Sequence, residues 1–205
     1  LFLLRRSTAL PTIISDGPFV RLARDLTGFD EEQILAPQDA IPQIKSGRYR
    51  NVIFVDDFAG TGNQFMETWK RRYLPTNESF ATVSATYSFK AFYCPLFCTR
   101  YAYQQNFRSI NTSLVVQPAH WLGDDHSVLS ANSIWWPDSM KSEAIDFIET
   151  YSEKIGIPDT GGYVVRDWQG FHKLGLAIAF PHCCPDATIP LFDTTEGGWS
   201  PLWSR

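Results

Sequence analysis

The sequence predicts an α/β fold, with a central, mostly parallel sheet flanked by helices. Residues 52–55 are four apolar residues in a row, a pattern typical of a strand buried on both faces of a parallel sheet. A glycine-bearing loop follows this strand, and a helix is predicted over residues 63–73. Two further apolar segments, residues 9–15 and 174–180, are predicted as strands. Strands that alternate with helices are the building pattern of this fold class.

The remaining elements follow from local patterns. Residues 80–87 alternate well enough to predict a strand, and residues 114–116 are predicted as another. Aromatic side chains in residues 91–106 recur mostly at helical spacing, which predicts a helix with a buried aromatic face. A further helix is predicted over residues 138–155, where Gly156 ends it.

Two adjacent carboxylates, Asp56 and Asp57, follow the buried strand at its carboxyl end. In open α/β sheets, ligands bind at this edge. Residues 59–62 form a loop that can turn successive backbone N–H groups inward, and a helix begins near Gln64, so the loop predicts a phosphate cradle. Carboxylates suit sugar hydroxyls, or a metal shared with phosphate oxygens. The stretch therefore predicts a site for a phosphorylated sugar.

This stretch resembles the phosphoribosyl-pyrophosphate motif of type I phosphoribosyltransferases. That motif has four apolar residues, two acids, an apolar residue, two small residues, Thr, Gly, any residue, and Thr or Ser. Residues 52–62 fill it in order, whereas Gln64 stands where the family usually has a hydroxyl. The alternative is the strand and turn of another doubly wound fold, such as a receiver domain with paired acids.

The resemblance implies a phosphoribosyltransferase-like fold and assigns roles to residues. Asp56 and Asp57 would be the catalytic pair on the ribose. The ligand's phosphate would be bound by Phe58, Ala59, Gly60, Thr61, Gly62, Asn63 and Gln64. The ligand would be phosphoribosyl pyrophosphate or a nucleotide, with Mg²⁺ as cofactor, and no residue is assigned as a dedicated metal ligand.

A loop near the amino end has two interpretations. Ser15, Asp16 and Gly17 lie between the first predicted strand and a helix that Pro18 begins. In the family, this position carries the pyrophosphate loop. Because Asp-Gly is a common turn pair, the alternative is an ordinary turn.

The carboxyl-terminal part carries a second resemblance. Residues 168–172 and 180–190 are similar to the tail of phosphoribosyltransferase-like proteins found in bacterial conflict systems, including retron-linked antiphage loci. Asp186 replaces the usual Asn, and Asp193 lies near an expected tryptophan. The resemblance implies a defence context and a protein partner in a defence complex. Residues 182–188 either face the same rim as the two acids or form a scaffold shaped by prolines.

Composition limits the remaining function classes. The chain has 205 residues, is 44% apolar and has a net charge of −4, which predicts one globular domain over residues 1–205 without a general attraction to nucleic acid or membrane. Because it begins with Leu, we expect it to be a piece of a longer polypeptide or to lack its original beginning. Four cysteines without a CxxC pair favour reduced thiols in a cytoplasmic protein over a zinc site.

Two questions stay open at this point. The domain is either an enzyme acting on an activated ribose phosphate or a module that senses a nucleotide, or holds a partner, without turnover. Residues 119–137 are rich in Trp, His and Asp, which fits either a lid or partner surface, or an insertion packed by its own tryptophans.

Overall fold

The computed structural model describes residues 11–14, 25, 28–110 and 113–204. By internal packing, the chain divides into two compact units, Leu1–Trp121 and Leu122–Arg205. The single domain over residues 1–205 stays a prediction. The loop of Ser15, Asp16 and Gly17, and the helix expected after it, lie outside the described residues. Within the described part of the chain, no helix has the length and hydropathy needed to cross a bilayer.

The sheet is six-stranded and its order is β2-β1-β3-β4-β5, with β6 pairing to β4. The pairs along this path are all parallel. The α/β fold with a mostly parallel sheet is therefore confirmed. The strands are β1 (Pro11–Ile14), β2 (Ile34–Leu35), β3 (Asn51–Ala59), β4 (Lys90–Thr99), β5 (Leu114–Val116) and β6 (His120–Leu122).

β3 is the centre of this sheet. It pairs with β1 on one side and β4 on the other, so that Phe54 lies between Ile14 and Tyr93. The predicted central parallel strand is confirmed, and it extends past residues 52–55 in both directions. Val52 and Phe54 are buried, so the apolar stretch of β3 lies in the hydrophobic core.

Helices connect and cover the strands. The longer ones are α1 (Pro37–Lys45), α2 (Asn63–Lys70), α3 (Phe80–Thr86), α4 (Arg100–Ala102), which continues as a π-helical turn over Tyr103–Phe107, and α5 (Lys141–Lys154). Short 3₁₀ turns occur at Glu31–Gln33, Asp124–His126, Asp138–Met140, Phe171–Lys173, Pro190–Phe192 and Glu196–Gly198. The helix predicted over residues 63–73 forms but ends at Lys70, because Arg71 is extended.

Aromatic packing fixes α2 and α3 against β3. The ring of Phe54 meets the rings of Phe65, Trp69 and Phe80 edge-on, with centroids 5.3, 6.2 and 5.1 Å away. Phe65 and Trp69 are four residues apart, so both face the sheet from one side of α2. Edge-on ring pairs contribute ~0.5–1.5 kcal/mol each beyond the area they bury. The first turn of α2 is thereby anchored at the end of β3.

Two predicted elements of the first unit are wrong. Residues 80–87 form a helix rather than a strand, because Ser79 and Thr82 make a reciprocal capping box that starts α3. Residues 90–99 form β4 rather than a helix. Its aromatic residues lie beside β3, and pairing on both sides outweighs the local helical spacing.

In the second unit, α5 confirms the helix predicted near residues 138–155, with Ala144 and Ile148 on its buried face. The central strand predicted at residues 174–180 is wrong. Only isolated bridges occur in the described part of this segment, at Leu176 with Thr188 and at Phe180 with Cys183. The hydroxyl of Thr188 donates to the carbonyl of Ile178 at 2.7 Å, which ties this residue to the preceding segment.

The segment over residues 119–137 is packed by its own tryptophans. The indole N–H of Trp135 donates to the carbonyl of His126 at 2.8 Å, and that of Trp136 donates to the carbonyl of Val128 at 2.9 Å. Trp136 is partly buried, where an indole N–H usually needs such a partner, whereas Trp135 is 49% exposed. These bonds favour the packed insertion over a lid.

Candidate functional site

β3 carries two adjacent carboxylates, Asp56 and Asp57, near its carboxyl end. Side chains alternate along a strand, so their Cβ atoms leave on opposite faces, and Asp56 starts from the face of Phe54, which α2 and α3 cover. Both residues are half-buried. The two carboxyl groups nevertheless influence each other, because Asp57 raises the pKa of Asp56.

Both oxygens of Asp56 accept hydrogen bonds from the protein. The hydroxyl of Tyr93 donates to Oδ2 at 2.9 Å, and the backbone N–H of Asp57 donates to Oδ1 at 3.0 Å. Burial raises the pKa of Asp56 to about 6, the bond from Tyr93 opposes this rise, and the neighbouring charge of Asp57 adds to it. Burial also raises the pKa of the Tyr93 hydroxyl well above its usual value, so Tyr93 stays a donor.

The loop after β3 turns sharply at Gly62. Gly62 has φ +79° at the amino-terminal boundary of α2, a conformation that favours glycine. A Cβ atom there would lie 2.7 Å from Cζ of Phe107, so the residue must also be small. Gly60 does not have positive φ, but a Cβ atom there would lie 2.6 Å from Cε1 of Phe58.

The loop carbonyls are held by the last residue of β4 and by a residue of the helical segment that follows it. The hydroxyl of Thr99 donates to the carbonyl of Gly60, and the side-chain amide of Asn106 donates to the carbonyl of Thr61 at 2.7 Å. The same amide lies 3.3 Å from Oδ1 of Asn63. The hydroxyl of Thr61 accepts the backbone N–H of Asn63 at 3.3 Å. The loop is thus supported from one side by neutral donors.

The structure brings most of the predicted site residues together at one end of β3. Ala59 is buried in the strand and Phe58 is half-buried beside Gly60. Asn63 and Gln64 form the exposed first turn of α2. Gln64 therefore presents an amide at the position where the motif usually supplies a hydroxyl.

Sequence reasoning missed Tyr93, Thr99 and Asn106. Tyr93 was assigned to a helical stripe, and the other two had no assigned role. Each contacts a site residue at least 37 positions away in sequence. Only the parallel register of β3 and β4 brings them together, and no local pattern encodes that register.

The two cysteines on β4 are not reactive groups of this site. Burial raises the pKa of Cys94 to about 11 and that of Cys98 to about 12. Since the thiolate is the nucleophilic form, both thiols are protonated and inert at neutral pH. Both are free cysteines, and the reduced state of the thiols stays a prediction.

Sequence comparison identifies the family. The family model PRTase-CE, which is phosphoribosyltransferase-like, matches residues 14–205. The chain belongs to the PRTase-CE family. Comparisons with curated proteins and with solved structures gave no match. The match confirms the predicted phosphoribosyltransferase-like domain, and it covers the strand, the acids and the loop in this PRTase-CE member.

Proposed function

We propose that this PRTase-CE member binds a ribose that carries a 5′-phosphate, as phosphoribosyl pyrophosphate or as a nucleotide. Residues 60–64 bind the phosphate, and the carboxylates of Asp56 and Asp57 bind the ribose hydroxyls. A phosphoribosyltransferase-like function in general follows from the family. The choice of ligand and the residue roles are the proposal.

One observation carries this proposal. A central parallel strand carries two carboxylates near its carboxyl end, and a short loop that ends in a glycine with φ +79° leads from it into the amino end of α2. Oriented backbone N–H groups and the positive end of a helix favour a phosphate. Ionised carboxylates accept hydrogen bonds, so they favour hydroxyl groups instead. Both features lie on one continuous stretch of chain, residues 56–64, as a ligand with hydroxyls and a phosphate requires.

Asp56 and Asp57 have different roles in this proposal. Asp57 accepts hydrogen bonds from the ribose hydroxyls and faces the positive charge that develops on the sugar. Asp56 is held by Tyr93 and by the N–H of Asp57, so it orients the strand end. In a transfer reaction, the bond from C1 to pyrophosphate breaks, its electron pair leaves with pyrophosphate, and an acceptor attacks C1.

Mg²⁺ fits the chemistry of these residues. Carboxylate oxygens and phosphate oxygens are the ligands that this ion prefers, and Asp57 offers the former beside the loop that would bind the latter. When bound, Mg²⁺ supplies positive charge that stabilises the departing pyrophosphate.

A non-catalytic function is the second candidate. Gln64 replaces the short hydroxyl donor of the motif with a longer, exposed amide and leaves every backbone N–H in place. A module that senses a nucleotide needs the ribose and phosphate contacts but not the acceptor site. In this version, the domain transmits ligand binding to a protein partner in a bacterial defence complex, a context supported by the tail at residues 180–190.

Calorimetry with the full chain tests the ligand. Ribose 5-phosphate, phosphoribosyl pyrophosphate and a nucleotide should bind, with ribose alone as the control that lacks the phosphate. We expect Mg²⁺ to strengthen binding of phosphoribosyl pyrophosphate most, because that ligand carries the most charge. No heat and no saturation with any phosphorylated ligand would overturn the proposal.

A second assay separates the enzyme from the sensor. The protein is incubated with phosphoribosyl pyrophosphate, Mg²⁺ and a panel of bases, and released pyrophosphate is measured. Release that depends on a base identifies a phosphoribosyltransferase. Saturable binding without release identifies the sensor. Reconstituting the natural locus with Asp57→Asn then tests the defence role, since protection against phage should be lost.

A further inference from the structure

The peptide groups of the phosphate loop are oriented by two side chains that lie outside the motif. Thr99, the last residue of β4, donates its hydroxyl to the carbonyl of Gly60, and Asn106 donates its amide to the carbonyl of Thr61 at 2.7 Å. In a trans peptide, C=O and N–H point in opposite directions. Holding these two carbonyls therefore directs the N–H groups of Thr61 and Gly62 away from Thr99 and Asn106.

In the described part of the chain, the N–H groups of Thr61 and Gly62 donate to no backbone carbonyl. A buried or half-buried N–H usually has a partner. Two neighbouring N–H groups that point the same way form the start of an anion-binding concavity. The opposite orientation would present carbonyl oxygens, which repel a phosphate.

The hydroxyl of Thr99 both donates and accepts a hydrogen bond. It donates to Gly60 and accepts the backbone N–H of Ala102 at 2.9 Å, which caps α4. Thr99 is 3% exposed, so water does not compete for either hydrogen bond. One buried hydroxyl thus links the start of α4 to the phosphate loop.

Asn106 reaches the loop from the π-helical turn over Tyr103–Phe107. A π-helical turn inserts an extra residue into a helix and often accompanies a functional site. The turn is anchored behind the loop by Phe107, whose ring packs against Phe65 and Tyr93 with centroids 5.5 and 5.2 Å away. Asn106 is therefore presented by a rigid segment.

We propose that Thr99 and Asn106 are positioning residues for phosphate binding: they hold the carbonyls of Gly60 and Thr61 back so that the N–H groups of Thr61 and Gly62 face the anion. This inference rests on the proposed function of the same loop. Neither residue touches the phosphate. Their substitution weakens binding by letting the two peptide groups rotate.

The test measures affinity for ribose 5-phosphate by calorimetry on the full chain. Asn106→Ala removes the donor, and we expect affinity to fall about tenfold, the effect of one hydrogen bond of ~1.4 kcal/mol. Asn106→Asp places a carboxylate against the carbonyl of Thr61 and should weaken binding further. Ser109→Ala is the matched control, because it removes an exposed hydroxyl from the same segment, where it bonds only the carbonyl of Asn106.

Thr99→Val and Thr99→Ser give an independent comparison. Valine keeps the shape but loses the hydroxyl, whereas serine keeps both hydrogen bonds, so affinity should fall in the first and be retained in the second. Amide NMR supplies a readout that a purely structural role would not change: on saturation with ribose 5-phosphate, the Thr61 and Gly62 amide signals should shift in the wild type and much less in Asn106→Ala.

The outcomes separate this inference from the proposed function. If the wild type does not bind ribose 5-phosphate, the proposed function fails and this inference fails with it. If the wild type binds and the folded Asn106 variants bind equally well, with the same amide shifts, only the positioning role is overturned. Should Thr99→Val fail to fold, the Asn106 variants decide alone, since Asn106 is half-buried at the surface.

Discussion

The hydroxyl of Tyr93 donates a 2.9 Å hydrogen bond to Oδ2 of Asp56. This bond links β4 to the carboxyl-terminal part of β3 and gives Asp56 a hydrogen-bond donor within the protein. The pKa of Asp56 is nevertheless raised to about 6, because burial outweighs the bond. The carboxyl thus changes charge close to neutral pH, unlike an ordinary aspartate.

The first prediction concerns stability against pH. The pKa of Asp56 rises from 3.8 to about 6 on folding, so between these values the folded state binds more protons than the unfolded state. Its contribution to stability is therefore present at low pH and lost as pH rises through 6. The full effect is at most about 3 kcal/mol, since each pKa unit corresponds to about 1.4 kcal/mol.

The substitution Asp56→Asn removes this titration. Urea unfolding without Mg²⁺ should show the variant gaining stability relative to the wild type between pH 4.5 and pH 7. Acids that do not interact with Asp56 titrate equally in both proteins and cancel in the difference, whereas Asp57 interacts with Asp56, so the difference reports the pair. Parallel pH profiles of the two proteins would contradict the raised pKa.

The site also shows how far sequence reasoning reaches. The sequence of strand, acids, loop and helix was predicted correctly because each step is encoded locally, by an apolar run, a glycine and a helix start. Tyr93 and Asn106 were missed because their contacts depend on register between β3 and β4. Residues 80–87 were assigned to a strand because their alternating polar and apolar pattern was given more weight than Ser79, which caps a helix.

The second prediction concerns Asp57. Replacing it with Asn keeps the size of the side chain but removes the charge that accepts ribose hydroxyls, so binding of ribose 5-phosphate should weaken by ~1–3 kcal/mol. Folding should be little changed, because the residue is half-buried at a strand end. Asp39→Asn, on the exposed side of α1, is the charge-matched control and should bind as the wild type does. Equal affinity of Asp57→Asn and Asp39→Asn would remove Asp57 from the ribose site.

The third prediction concerns Gly62. The sequence places this loop outside the core, but Gly62 is buried and packs against Phe107, so a substitution affects stability as well as binding. Gly62→Ala should lose ~1–2 kcal/mol for its positive φ and a further ~1–3 kcal/mol for the contact with Phe107. It should also abolish phosphate binding.

Gly47 provides the matched control for this substitution. It has φ +76°, close to that of Gly62, but a Cβ atom there meets nothing within 4 Å. Gly47→Ala should therefore show only the conformational cost and should leave phosphate affinity unchanged. The two free energies of unfolding, measured in urea, separate conformation from contact. Equal losses of unfolding free energy in the two variants would show that the ring of Phe107 moves to accommodate the extra methyl group.

The fourth prediction concerns Gln64, the one departure from the motif within residues 52–64. The residue is exposed in the first turn of α2, where a threonine hydroxyl would act as a donor beside the helix amino end. Gln64→Thr should raise the affinity for ribose 5-phosphate about three- to tenfold, which corresponds to a net gain of ~0.6–1.4 kcal/mol from one hydrogen bond. Gln64→Val has a similar shape without the hydroxyl and is the control, which should show no gain. If both variants bind equally, the phosphate does not approach the first turn of α2, and the anion lies deeper in the loop, on the N–H groups of Thr61 and Gly62.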